Sequence, residues 1–117
     1  MKILIVEDME ELRWAISERF KSFGFEIVVA ENGEEALKAL ETLSPVFVLT
    51  DIQMPKMNGI EFLKQARAKF PTLPILVMTG FSPYTEQEVL GFGANGYYEK
   101  TQMDVAEIAR KFVRRSA

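Results

Sequence analysis

The chain contains no cysteine and no histidine among its 117 residues. The first absence excludes a disulfide framework and thiolate metal sites, and it fits a reducing, cytoplasmic setting. The second removes the usual general base, the commonest zinc ligand and any phosphohistidine carrier. No apolar run approaches the roughly 18 residues that a membrane span needs, and no signal-peptide pattern opens the chain, so no membrane insertion is expected. Internal repeats, linkers and low-complexity tracts are absent too. Strong positive charge is also lacking: the net charge is −3, which gives no reason to expect direct nucleic-acid binding. The one basic cluster is Arg110, Lys111, Arg114 and Arg115. It reads as a solvated helix end with cations favourable to the dipole, with a phosphate-binding patch as the alternative.

What is present is an ordinary globular balance, 48% hydrophobic and 26% charged, in a length that fits one domain over residues 1–117 with a core that needs no staples. Four short apolar runs end in charged or hydroxyl residues. Ile3-Leu4-Ile5-Val6 meets Glu7-Asp8, Val46-Phe47-Val48-Leu49-Thr50 meets Asp51, Ile75-Leu76-Val77-Met78 meets Thr79, and Gly96-Tyr97-Tyr98-Glu99 meets Lys100. Continuous β-branched runs of this kind read as strands buried on both faces, the mark of a parallel sheet.

Helical spacing fills the intervals. Leu12, Ala15, Ile16, Phe20 and Phe23 form one stripe, with Gly24 as its stop, and Phe25 to Val29 form a second strand. Asn32-Gly33-Glu34-Glu35 and Asn58-Gly59-Ile60-Glu61 look like capped starts of helices 2 and 3. Ser82-Pro83 reads as N-cap and first-turn proline of a short fourth helix. Thr101 opens the last helix, with Val105, Ile108, Phe112 and Val113 facing inward. The expectation is an α/β fold with five helices and a doubly wound, five-stranded parallel sheet, flavodoxin-like, in order 2-1-3-4-5.

In such a sheet the ligand crevice lies beyond the carboxyl ends of the strands, with strands 1 and 3 side by side at the switch point. Glu7, Asp8 and Asp51 would then face one another and call for a hard divalent cation such as Mg²⁺, to which a backbone carbonyl and waters could add. Without metal, at least one carboxylate should have a raised pKa. Each residue also has a plainer reading. Asp8 can head a capping box, Asp8-Met9-Glu10-Glu11. Glu7 can be a solvated acid, Asp51 can cap a turn before Met54-Pro55, Thr79 can bond a loop amide, and Lys100 can point into solvent. Jointly, all five at the ends of four strands favour a shared site.

These residues carry a resemblance that covers essentially the whole chain. Glu7-Asp8, the segment Asp51-Ile52-Gln53-Met54-Pro55-Lys56-Met57-Asn58-Gly59, Met78-Thr79-Gly80, and Gly93-Ala94-Asn95-Gly96-Tyr97-Tyr98-Glu99-Lys100 resemble, in that order, a receiver domain of the two-component response regulators, of the stand-alone, chemotaxis-regulator-like kind. A member of that family is itself a standard instance of the 2-1-3-4-5 order, so the order is not independent of the resemblance. The resemblance implies that Asp51 accepts a phosphoryl group from a sensor histidine kinase or a histidine phosphotransfer protein. It implies that Glu7, Asp8, Asp51 and the Gln53 backbone carbonyl hold Mg²⁺, and that Lys100 and Thr79 contact the phosphoryl oxygens. Thr79 and Tyr97 would form the switch that reports to a downstream target protein. Such a chain is a phosphoacceptor, not a turnover enzyme.

Three departures from the family pattern stand out. Thr101 replaces the usual proline after the lysine, so the Lys100–Thr101 bond is expected trans and Thr101 is expected to cap helix 5. The stretch from Thr79 to Tyr97 is one residue shorter than usual. Phe81 lies where, with Gln53, it would flank the approach of water to the phosphoryl group; alternatively it packs inward beneath helix 4. Trp14 falls about 200° from Leu12 around the first helix, off the core stripe; it either docks a phosphoryl donor or lies over basic side-chain stems. Rival readings are a phosphorylation-independent docking module, an aspartyl-phosphate phosphatase and a flavin binder. Gln53, where a second acid would be needed, disfavours the phosphatase, and the acidic stretch after strand 1 disfavours an FMN phosphate. No DNA-binding or catalytic module fits the remaining length, so output would run through a partner, unless the chain is a piece of a larger regulator.

Overall fold

The computed structural model describes the backbone of residues 1–116 and the side chains of residues 1–112. Strands and helices alternate without exception: β1 Lys2–Val6, α1 Glu10–Lys21, β2 Glu26–Ala30, α2 Gly33–Leu40, β3 Phe47–Asp51, α3 Gly59–Lys69, β4 Ile75–Thr79, α4 Glu86–Gly91, β5 Gly96–Glu99 and α5 Val105–Ser116. All strand pairs are parallel, in the order β2-β1-β3-β4-β5. This is the doubly wound sheet that the apolar runs imply.

Period-2 alternation within the strands divides the core into two layers. Leu4, Val6, Val48 and Val77 face Ala36, Leu40, Ile60, Phe62, Leu63 and Ala66 of α2 and α3, and Val89 of α4. Ile3, Ile5, Phe47, Leu49, Leu76 and Met78 face Ile16 and Phe20 of α1 and Val105, Ile108 and Phe112 of α5. The three central strands are buried on both faces, which is why their sequences read as uninterrupted apolar runs. Phe47 is the aromatic centre of the second layer. It stacks on Phe112 at 4.2 Å between ring centroids and meets Phe20 and Phe25 edge-on at 5.7 and 6.0 Å.

Several local expectations need correction. β2 is shifted by one residue, because Phe25 tucks into the core ahead of the strand. In α1 the inner face runs through Ile16, Ser17 and Phe20, while Ala15 and Phe23 are exposed; Ser17 is tolerated inside because its hydroxyl donates to the Arg13 carbonyl at 2.7 Å. Asp8 does not cap α1: Met9 occupies the N-cap position and supplies no side-chain bond. Ser82 does not cap α4 either. Its hydroxyl accepts from Tyr84 N–H and donates to the Tyr84 carbonyl, and Thr85 caps the helix in a reciprocal capping box with Glu88. Thr101 lies in a turn. Asp104 caps α5, its carboxylate accepting from Glu107 N–H at 3.1 Å, because a short acidic side chain immediately before Val105 is better placed than a threonine four residues ahead. Asn32 and Asn58 do cap α2 and α3. The Lys100–Thr101 bond is trans. Val113, Arg114 and Arg115 lie outside the residues whose side chains are described.

Phe47 is fully buried, so Phe47→Ala should destabilise the chain by about 3–5 kcal/mol, the range for truncating a core phenylalanine. Urea unfolding with an unchanged m-value is the check; a loss under about 1 kcal/mol would mean that the aromatic cluster is not the centre of this layer.

Candidate functional site

The ends of β1, β3, β4 and β5 bring together four groups from distant parts of the chain. Asp51 and Thr79 are the last residues of β3 and β4, while Glu7 and Lys100 each follow a strand directly. Lys100 is held in line because its N–H donates to the Thr79 carbonyl at 3.0 Å, extending the ladder. Its ammonium then reaches both acids, lying 2.7 Å from Glu7 Oε1 and 3.0 Å from Asp51 Oδ2.

Glu7 is wholly buried. One carboxylate oxygen accepts from Met9 N–H at 3.1 Å, and the Glu7 carbonyl accepts from Arg13 Nη1 at 2.9 Å. The other oxygen, Oε1, pairs with the Lys100 ammonium at 2.7 Å. Burial raises the Glu7 pKa above its ordinary 4.5, opposed by the Lys100 contact and the Met9 N–H and reinforced by the charge on Asp51. The expected raised carboxylate is therefore found, but burial, rather than repulsion between acids, is its main cause. For Lys100, burial works against the charged form, yet its contacts with Glu7 and Asp51 win and raise its pKa above 10.5.

Asp51 is only 3% exposed. Its Oδ1 accepts from Ile52 N–H at 2.7 Å and Gln53 N–H at 3.3 Å, so the carboxylate is tied to the turn that follows it. That turn is tight enough to require glycine at 59: a Cβ there would run into the Asp51 carbonyl oxygen. Thr79 is also buried and donates its hydroxyl to the Phe81 carbonyl at 2.6 Å. Asp8 is exposed, and one oxygen from each of Glu7, Asp8 and Asp51 lies within 4.8 Å of the others.

This donor set fits a hard divalent cation. All three candidate ligands are carboxylates, and the Lys100 ammonium pairs with two of them, Glu7 and Asp51, leaving negative charge in excess. A buried carboxylate flanked by an ammonium and a hydroxyl is also equipped to accept an electrophilic group whose charge must be neutralised on arrival.

The remaining expected residues stand further out. Gln53 is exposed, and Phe81 is 75% exposed, which excludes the inward packing of its ring beneath α4. Tyr97 is half-buried against the α2–α3–α4 layer of the core. Trp14 is 66% exposed and borders a groove between α1 and the edge strand β2, beside Ile27 and Val29. Arg13 was not legible as a site residue; nothing in its spacing marks it as the donor to the Glu7 carbonyl.

The response regulator receiver domain family model matches residues 3–112. The alkaline phosphatase synthesis transcriptional regulatory protein PhoP of Bacillus subtilis is 37% identical over 101 residues, covering 85% of this chain and 42% of that protein. Among solved structures, the response regulator TrrA of Thermotoga maritima, in complex with Mg²⁺-BeF, matches at a TM-score of 0.84 and 32% identity over 97% of this chain and 96% of that one. A CheY-like receiver domain protein from Methanospirillum hungatei matches at 0.86 and 25% over 97% and 91%. The chain belongs to the response regulator receiver domain family. It spans less than half the length of the curated relative named above.

The raised Glu7 pKa carries a sign. Between 4.5 and its raised folded value the folded chain holds a proton that the unfolded chain has lost. Metal-free wild type should therefore lose stability relative to Glu7→Gln as pH climbs from 4.5 through that value. Denaturant midpoints from pH 4 to 8 test this; a difference that stays flat, or grows in favour of wild type, contradicts the burial argument.

Proposed function

We propose that residues 1–117 act as one receiver domain that accepts a phosphoryl group on Asp51 and signals by protein contact. The observation that supports this most directly is the Lys100 ammonium bridging Glu7 and Asp51 at the ends of β1 and β3, beside Thr79. An Asp51 carboxylate oxygen would attack phosphorus in a donor's phosphoimidazole. The P–N bond breaks, the imidazole nitrogen keeps the electron pair and takes up a proton, and Asp51 becomes an acyl phosphate. With no histidine of its own, the chain depends on a sensor histidine kinase or histidine phosphotransfer protein as donor.

Each neighbour has a role in this reading. Glu7, Asp8 and Asp51, with the Gln53 backbone carbonyl, would hold Mg²⁺, which when bound supplies positive charge to the non-bridging phosphoryl oxygens. Lys100 would exchange its contact with Asp51 for one with a phosphoryl oxygen. Thr79 would release the Phe81 carbonyl and donate to another such oxygen. Tyr97, half-buried behind β4, would follow Thr79 inward and alter the surface offered to a target protein. The reaction modifies the chain itself and turns over no external substrate. No helix among the described residues is long and apolar enough to cross a membrane, and a cytoplasmic setting suits a kinase donor.

With Mg²⁺ and acetyl phosphate, intact mass should show one added phosphoryl group, acid-stable and base-labile, that is absent from Asp51→Asn. Asp8→Ala should lose both Mg²⁺ binding and label while keeping wild-type stability, since Asp8 caps nothing. Wild-type labelling of Asp51→Asn would sink the assignment, and a wild type that takes no label would point to a phosphorylation-independent docking module.

Gln53 and Phe81 would flank the in-line approach of the water that removes the phosphoryl group. Because the Phe81 ring is mostly solvent-exposed, Phe81→Ala should leave stability within about 0.5 kcal/mol and Mg²⁺ binding intact while the label is lost faster. An unchanged rate of loss, followed by mass against time, would remove Phe81 from the site.

A further inference from the structure

Far from the phosphoryl site, one side chain uses every donor it possesses. Arg67, near the end of α3, donates Nε and Nη2 to the Gly93 carbonyl at 3.0 and 2.8 Å, and Nη2 also to Asn95 Oδ1 at 2.7 Å. Its Nη1 donates to the Phe70 and Pro71 carbonyls at 2.9 and 3.0 Å. A guanidinium carries five N–H groups in a rigid fork, and here all are engaged, none by a carboxylate. Asn95 in turn is pinned to the start of β4: its Oδ1 accepts from Ile75 N–H at 2.9 Å and its N–H donates to the Ile75 carbonyl at 2.8 Å. The backbone at Gly93, with φ +119°, passes so close that a Cβ would lie 2.9 Å from Arg67 Cγ. One cation thus joins the end of α3, the turn before β5 and the first residue of β4.

The consequence falls on α4. This helix has six residues and buries only Val89. Its last turn runs straight into the fixed corner, with Phe92 N–H donating to the Glu88 carbonyl at 3.0 Å and Gly93 N–H to the Leu90 carbonyl at 3.0 Å. Phe92 is further held by the Lys64 ammonium 4.4 Å above its ring. The opposite end of the helix hangs from the loop that carries exposed Phe81, whose carbonyl receives the Thr79 hydroxyl. One end is anchored by a saturated cation; the other packs through Tyr84, edge-on to Phe92 at 5.5 Å, and reaches the site through the Thr79–Phe81 hydrogen bond.

From this asymmetry we infer that Arg67 is a positioning residue for the switch. It fixes the corner at residues 92–96, so that loss of the Thr79–Phe81 bond swings the N-terminal end of segment 81–91 about that corner. The inference rests on Thr79 contacting the phosphoryl group.

Amide hydrogen exchange on wild type, Arg67→Ala and Arg67→Lys, each before and after acetyl phosphate with Mg²⁺, tests it. In wild type the label should alter exchange at residues 81–88 while residues 92–96 stay within about twofold. In Arg67→Ala the Gly93 and Asn95 amides should exchange at least about tenfold faster without label, and the label-dependent change should spread into 92–96. Asp51 labelling should stay near wild-type extent, because Arg67 is not in the site. Arg67→Lys should behave like the alanine variant, since one nitrogen cannot span the Gly93, Asn95 and Phe70 oxygens. A wild type in which 92–96 responds as strongly as 81–88 overturns the pivot without any variant. So do variants that loosen the corner but keep the wild-type label response. Failure of wild type to gain mass refutes the phosphoacceptor reading instead, and with it the coupling to Thr79; the anchor itself is then decided by the unlabelled Gly93 and Asn95 amides, whose unchanged exchange would overturn it.

Discussion

The Lys100 ammonium lies between two buried carboxylates, Glu7 and Asp51, and the upper end of the sheet is arranged around it. Lys100 follows β5, yet it must reach past β4 to groups at the ends of β3 and β1. It does so along Gly80, where an added Cβ would already touch the lysine Cδ at 3.9 Å. Taking such charges out of water costs more than their attraction usually returns, so a buried ionic cluster is weak evidence of stability. Here the balance is worse than for a simple pair, because Glu7 and Asp51 share one ammonium while Asp8 adds a further negative charge nearby. Surplus negative charge and hard oxygen donors fit a divalent cation.

Rigidity on the β3 side makes such a cluster possible. Asp51 accepts from the two amides that follow it, and the start of α3 presses against its carbonyl with only a glycine between. The Gly33 N–H at the start of α2 donates to the Met57 carbonyl at 3.1 Å, and the Asn58 side chain caps α3. Loop 52–58 is therefore clamped by two helix N-termini, firmly enough to hold Lys56 at φ +62°, a left-handed conformation that costs a non-glycine residue roughly 1–2 kcal/mol. Fixed dipoles and charges need no rearrangement when a charged group arrives, which is the property a phosphoryl site uses.

The β4 side is built differently. The Thr79 hydroxyl is buried and, among the described residues, is held by the Phe81 carbonyl, in a loop whose aromatic ring faces solvent. Few buried contacts hold α4, and its firm attachment lies at the far end, at the Arg67 corner. Low local stability beside a rigid site is where a small change in hydrogen bonding can produce a larger displacement.

Strand and helix alternation and the five chemical groups at the strand ends were legible in the sequence, because they follow from short-range signals: uninterrupted apolar runs, asparagine caps and a charged or hydroxyl residue where each run stops; the sheet order came with the family resemblance. Helix starts were legible only where one capping residue stood without competitors. Asn32 and Asn58 cap their helices as their positions imply, whereas Ser82 and Thr101 give way to Thr85 and Asp104, because several candidates stand within a few residues and packing chooses among them. The burial of Ser17, the outward Phe81 ring and the main cause of the raised Glu7 pKa depend on what lies above each side chain, which spacing along the chain does not encode. Arg67 was invisible for the same reason: its partners at Gly93 and Asn95 are 26 and 28 residues away and mostly backbone oxygens, which carry no side-chain signature. The sequence by itself determined which groups exist and at which strand end each would sit. Only the tertiary structure decided which of them touch, because contact across a parallel sheet is made through crossovers that bring together residues far apart in the chain.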